Sequence, residues 1–136
     1  MKKITIIDYD CGNILNLARA LKFLELKVEI TNDEKTIINS THVILPGVGA
    51  FGDAMQQIEN YNLQKTILEY VKLGKPLLGI CLGMQLLLTK SHEFGIHNGL
   101  NLIEGEVKKI SNQNNKEIKI PHTGWNEIYP NNKEKK

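Results

Sequence analysis

The hydrophobic pattern of this chain changes period again and again, from runs of strand length that are apolar nearly throughout to faces that recur every three or four residues. Ile4 to Ile7 is a short apolar run closed by Asp8, after which Ile14, Leu17, Ala18, Leu21 and Leu24 mark one side of a helix. Val28 to Ile30 is a second run. His42 to Leu45 is a third, stopped by Pro46 and followed by Gly47, Gly49 and Gly52. A helix carrying Ala54, Met55, Ile58 and Tyr61 comes next, then one carrying Leu63, Ile67, Leu68 and Val71 that ends at Gly74. Pro76 to Ile80 is another run of strand length, and Leu82 to Leu88 returns to helix directly after Cys81. Strands that are apolar on both faces need cover on both faces. The alternation therefore predicts the α/β class, an open and mostly parallel sheet with helices on both faces.

Beyond Gly95 the segments shorten. Gly105 to Ile110 and Glu117 to Ile120 alternate as strands do, with Ser111 to Lys116 as a polar hairpin turn between them, and Trp125 to Tyr129 reads as a further edge segment. Residues 130–136 lack apolar side chains and read as a frayed tail. Neither a repeat nor a linker divides the chain, and 136 residues suit a single domain.

Charge and cysteine usage narrow the function. The net charge is +2, scattered along the chain, which is no footprint for nucleic acid. The longest apolar run, Pro76 to Leu88, falls short of the roughly 20 residues that span a bilayer. The N-terminal run is too short for a secretory signal, so the expectation is a cytoplasmic protein with no membrane partner. Cys11 and Cys81 are far apart and have no CxxC or histidine partner at metal spacing. The reading is of two lone thiols, with no metal and no cofactor.

One of those thiols sits in the string GICLGMQ, Gly79 to Gln85, between an apolar strand and an apolar helix with no loop residue to spare. A nucleophile on so sharp a turn has a strained backbone, and glycines two before and two after it let neighbouring chain approach. The start of a helix also favours an anion, and the thiolate is the reactive form, about 3% of a free thiol at pH 7. The competing reading of Cys81 is a small buried hydrophobe. The upstream string PGVG, Pro46 to Gly49, decides for chemistry. It follows the third strand, and neighbouring strand ends of a parallel sheet deliver their loops to one rim. A backbone N–H of Val48 or Gly49, with that of Leu82, would form an oxyanion hole for acyl transfer.

Taken together, GICLGMQ, the loop PGVGAFGDAM and the opening IIDYDCGN resemble the class I, triad-type glutamine amidotransferases. The string PHTGWN, Pro121 to Asn126, is similar to the PHxGWN segment of the glutaminase subunits that serve imidazole glycerol phosphate synthase. The resemblance covers essentially the whole chain. It implies a flavodoxin-like sheet and hydrolysis of L-glutamine through a γ-glutamyl thioester on Cys81. It also implies ammonia supply to a synthase (cyclase) barrel subunit in histidine biosynthesis, as a heterodimer. By the same resemblance Gly47 and Gln85 contact glutamine, and Gly12, Asn13, Trp125 and Asn126 lie near the partner interface. The competing reading of Trp125 is a core or edge aromatic.

The sequence departs from that family in one respect that matters. A triad needs a histidine to exchange the proton and an acid to orient it. The His-Pro-Glu-like segment that the resemblance calls for is absent from the 55 residues after Cys81, as is the Tyr/Phe-rich strand after PHxGWN. None of His42, His92, His97 and His122 is promoted to the role. Asp10 and Cys11 stand where that loop commonly has glycine and a hydrophobe, and Cys11 is expected to be an exposed spectator. The expectation is a C-terminally truncated chain, the N-terminal two-thirds of the family's domain, inactive alone because losing a triad member costs about 10⁴ in rate. Alternatives are a paralogue feeding a sugar-amidating synthase, a non-catalytic docking module, and a stand-alone thiol enzyme with His122 as base.

Overall fold

The computed structural model describes residues 3–110, 120, 121 and 124–129. The elements run β1 Lys3–Ile7, α1 Ile14–Phe23, β2 Lys27–Thr31, α2 Glu34–Ile38, β3 His42–Leu45, α3 Phe51–Asn60, α4 Leu63–Lys72, β4 Leu77–Gly79 and α5 Leu82–Leu86. Then come β5 Leu88–Ser91, β6 His97–Asn98 and β7 Ile103–Val107. The first four strands form one all-parallel sheet in the order β2-β1-β3-β4. This is the flavodoxin-like order, with the change of winding direction between β1 and β3.

Register places Thr5 beside Val43 beside Leu77 on one face of the sheet, and Ile6 beside Ile44 beside Leu78 on the other. The first face carries the main core. Ile7, Val43 and Leu45 pack there with Ile37 of α2, Ile58 of α3, and Ile67 and Tyr70 of α4, all at 1% exposure or less. Each such side chain contributes about 1.5–3 kcal/mol by leaving water. Right-handed crossovers put α1 on the opposite face, where it packs against β2. Helices thus lie on both faces, as the apolar strands required. The second face is open toward its edge, with Leu78 55% exposed.

Several elements differ from the sequence pattern. α2 is too short to show a period, and its mark is local, with the Asp33 carboxylate capping the helix by accepting from Thr36 N–H at 2.8 Å. α5 ends at Leu86 rather than Leu88, because Leu88 starts β5, a strand read as helix from the continuous apolar run. The predicted strand Gly105 to Ile110 is replaced by β7, which starts earlier, at Ile103, and ends at Val107. β5 pairs antiparallel with β6 and parallel with β7 in a second, three-stranded sheet. Trp125 to Tyr129 is not a strand. Residues 124–129 are exposed and have no regular structure, so Trp125 is no core aromatic. The predicted turn Ser111–Lys116, most of Glu117–Ile120 and the tail 130–136 lie outside the described residues. No helix among the described residues is long and apolar enough to cross a membrane.

Candidate active site

β3 and β4 are neighbours, with Leu45 opposite Gly79, so the turns that follow them emerge side by side at the carboxyl rim of the sheet. The β4–α5 turn is the sharper. Ile80 N–H is tied to the Leu45 carbonyl at 3.0 Å, and Gly83 N–H closes back on the Ile80 carbonyl at 2.9 Å. Between them Cys81 adopts φ 56° and ψ −119°, a conformation that suits glycine and costs an L-residue about 1–3 kcal/mol. Its side chain is exposed, which removes the reading of Cys81 as a buried hydrophobe. Glycine at 83 is a steric necessity, since a β-carbon there would lie 1.9 Å from the Leu45 carbonyl oxygen. At Gly79 it would lie 2.6 Å from Met84 Cα. Both glycines of the elbow string are thus accounted for by backbone approach.

The helix that follows has five residues, so its polarity at Cys81 is that of a single turn of N–H groups rather than of a long dipole. Leu82, its first residue, is buried by its side chain, and its N–H donates to no acceptor among the described residues. Gln85, four residues after Cys81 and therefore on the same side of the helix, is half-buried.

The β3–α3 loop reaches over this turn. Gly47 is buried against it, and a β-carbon at Gly47 would meet Gly83 N at 2.7 Å, Leu82 Cβ at 2.9 Å and the Tyr9 hydroxyl at 2.9 Å. Beyond Gly47 the loop is open. Val48 is 53% exposed, and Gly49 takes φ 101° with open space where a side chain would be. Among the described residues the N–H groups of Val48 and Gly49, like that of Leu82, have no acceptor. The three backbone donors singled out from the sequence therefore stand unengaged at the rim that carries Cys81. Gly12 borders the same loop, with its β-carbon position 3.2 Å from the Pro46 ring, and Asn13 is exposed at the head of α1. Trp125 and Asn126 are exposed, and no hydrogen bond among the described residues ties their stretch to the site.

Two side chains that sequence reasoning missed hold the loop. Tyr9, fully buried at the end of β1, donates its hydroxyl to the Pro46 carbonyl at 2.6 Å. Burial, and then the neighbouring Cys11, push its hydroxyl pKa upward, so it stays a donor. Glu93 accepts from Phe51 N–H at 2.8 Å. Tyr9 had a signal, a hydroxyl placed among residues destined for the core, whereas Glu93 had none.

The other thiol is not equivalent. Cys11 is half-buried against the core rather than exposed, and burial, then Asp10 and Asp53, raise its pKa. That is the reverse of what a nucleophile needs. The described histidines are engaged elsewhere: His42 Nδ1 with Thr41 Oγ1 at 3.1 Å, and His92 with Glu106 at 3.2 Å. His97 lies half-buried in β6, against Gly52. None is hydrogen-bonded to Cys81, and His122 lies outside the described residues. A groove of about 930 Å³, lined by Glu34, Lys65, Glu69 and Lys72 among others, contains none of the residues at this rim.

The chain is similar to known proteins in sequence and in fold. The profile of the family described as "Glutamine amidotransferase class-I" matches residues 5–135. The imidazole glycerol phosphate synthase subunit HisH 1 of Legionella pneumophila is 43% identical over 130 residues, covering 94% of this chain and 61% of the relative. The HisH subunit of Wolinella succinogenes is 44% identical, covering 96% of this chain and 64% of the relative. The chain thus spans a little over three fifths of the length of these relatives. A solved glutamine amidotransferase superposes with a TM-score of 0.64 at 18% identity, over 75% of this chain and 54% of the other, a likeness of fold. The chain belongs to the class-I glutamine amidotransferase family.

Proposed function

We propose that this rim is the nucleophile and oxyanion half of a glutaminase site, with L-glutamine as substrate. The thiolate of Cys81 attacks the carboxamide carbon, forming a C–S bond and placing negative charge on the former carbonyl oxygen. The N–H of Leu82 and that of Val48 or Gly49 receive that oxyanion, each such donor being worth about 10²–10³ in rate. Collapse breaks the C–N bond and releases ammonia, which takes the proton the thiol gave up. Water then cleaves the γ-glutamyl thioester to glutamate and free Cys81. Gly47 lies beside the bound glutamine, and Gln85 contacts it from the face of α5 that carries Cys81.

The observation that carries this reading is the seating of Gly47 on Leu82 and Gly83, which sets the β3–α3 loop against the turn of the exposed Cys81. The general base is the part of the chemistry that His42, His92 and His97 do not supply. The names of the relatives support a synthase as recipient of the ammonia, in histidine biosynthesis, with Gly12, Asn13, Trp125 and Asn126 toward the partner. The exposed run of Trp125, Ile128 and Tyr129 favours a docking role for that end whether or not the chain is catalytic.

The test joins this chain to the remaining length of the Legionella relative, adds the synthase subunit and measures glutamate formed from glutamine. Hydrolysis that vanishes in Cys81→Ala is expected. A joined chain that binds the synthase without hydrolysing glutamine would instead establish a docking module, and ammonia delivered only to a sugar-amidating synthase would reassign the pathway.

A further inference from the structure

We propose that Tyr9 and Glu93 are positioning residues that pin the two ends of the Pro46–Phe51 loop, and that this clamp, rather than any packing of the loop's middle, fixes the oxyanion donors. The inference rests on the reading of that loop as an oxyanion hole. Among the described residues little holds the middle: Val48 is half exposed and the β-carbon position of Gly49 has no neighbour within 4 Å. Its geometry must come from its ends.

At the first end the Tyr9 hydroxyl, carried by a ring with no solvent exposure, grips the Pro46 carbonyl. A fixed carbonyl fixes the plane of the Pro46–Gly47 peptide and points its N–H the opposite way. The same hydroxyl stands 2.9 Å from where a Gly47 side chain would begin, so it also holds Gly47 down on Leu82 and Gly83.

At the second end α3 begins without a cap of its own. Ala50 occupies the capping position and offers no side-chain oxygen, so the first N–H groups of the helix need an outside acceptor. Glu93 supplies it from 42 residues away. The carboxylate is itself set by a turn in which Glu93 N–H donates to Ser91 Oγ at 3.1 Å, Ser91 being wholly buried. His97, two residues after Gly95, packs against Gly52 in the first turn of α3 and closes the contact. The second sheet thus reaches the site through its β5–β6 connection.

Backbone ¹⁵N relaxation and amide exchange on the chain, with Tyr9→Phe, Glu93→Ala and Glu93→Gln, read the clamp directly. Tyr9→Phe and Glu93→Ala are expected to lower the order parameters of Val48 and Gly49 from the rigid range near ~0.85 toward ~0.6. Phe51 N–H should exchange about tenfold faster in Glu93→Ala. Glu93→Gln, whose amide oxygen still accepts, should stay near wild type. Unchanged order parameters and exchange in Tyr9→Phe and Glu93→Ala would overturn the clamp. So would a Glu93→Gln variant as disturbed as Glu93→Ala, since the carboxylate's charge rather than its hydrogen bond would then be at work. The link to chemistry is read by capture of Cys81 with a chloroketone analogue of glutamine against iodoacetamide, which needs no oxyanion hole. The clamp variants should lose about ten- to a hundredfold in the first and little in the second. A wild-type chain with no preference for the chloroketone defeats the oxyanion reading, and the relaxation and exchange data still decide the clamp.

Discussion

The two turns that meet at the rim are held by different means. Between β4 and α5, backbone is fitted to backbone: Ile80 N–H on Leu45, Gly83 with no room for a methyl group, and Cys81 strained at φ 56°. Between β3 and α3, a loop with an open middle is held at its ends by two side chains from distant parts of the chain, Tyr9 and Glu93. The position of Cys81 is therefore inseparable from the packing of the sheet, whereas the loop that carries the proposed donors is held by two hydrogen bonds that a substitution can remove without disturbing the sheet. On the proposed reading, the thiol is set by backbone packing and the oxyanion donors by two long-range side-chain hydrogen bonds.

The largest effect that sharpens this contrast comes from Gly83→Ala. Its β-carbon would lie 1.9 Å from a backbone oxygen that cannot yield, so β3 and α5 must part. A loss of about 3 kcal/mol or more in urea unfolding is expected, with loss of structure at the rim. A variant of wild-type stability would mean that the turn is not backbone-limited. Cys81→Gly works in the opposite direction. Relief of strain outweighs the added freedom of the unfolded chain, and a gain of about 1 kcal/mol in stability is expected together with loss of all thiol chemistry at that position. A destabilised Cys81→Gly variant would remove the claim of strain.

On the loop side, Tyr9→Phe leaves the Pro46 carbonyl buried without its donor. A cost of about 1–2 kcal/mol is expected, checked by thermal unfolding, with the sheet intact. A cost as large as that of Gly83→Ala would erase the distinction between the two turns.

The smallest effect belongs away from both. Lys108, then Lys90 and His92, hold the exposed Glu106 carboxyl down to about 2 from its ordinary 4.5. Because the folded value is depressed, this contribution is present above pH 4.5 and fades as pH falls from there through about 2. Glu106→Gln should flatten the acid limb of the stability profile slightly in that window, less so in high salt, and leave the reactivity of Cys81 alone. A change in Cys81 labelling would couple the second sheet's outer face to the rim.

How far the fold could be read from the chain follows the same division. β1 and β3 are legible as continuous apolar runs, α1, α3 and α4 because each repeats its helical period long enough to be counted, and the elbow because glycine spacing around a cysteine between strand and helix is a local pattern. α2 escaped because five residues carry no period, and α5 was overextended because the apolar run Leu86 to Leu88 fits helix and strand alike. Tyr9 and Glu93 escaped for a different reason. Each acts across 37 or 42 residues, and no local pattern records which carbonyl or N–H a folded chain will bring to them. The contacts that complete the site are tertiary, and only the elements that carry them are written locally.

The most direct measurement is peptide mapping by mass spectrometry after exposure of the chain to the chloroketone analogue of glutamine, with and without excess L-glutamine. Modification confined to Cys81, slowed by L-glutamine and absent from the half-buried Cys11, is the predicted result. Equal modification of Cys11 and Cys81, or labelling of Cys81 that L-glutamine does not slow, would contradict a glutamine site at this rim.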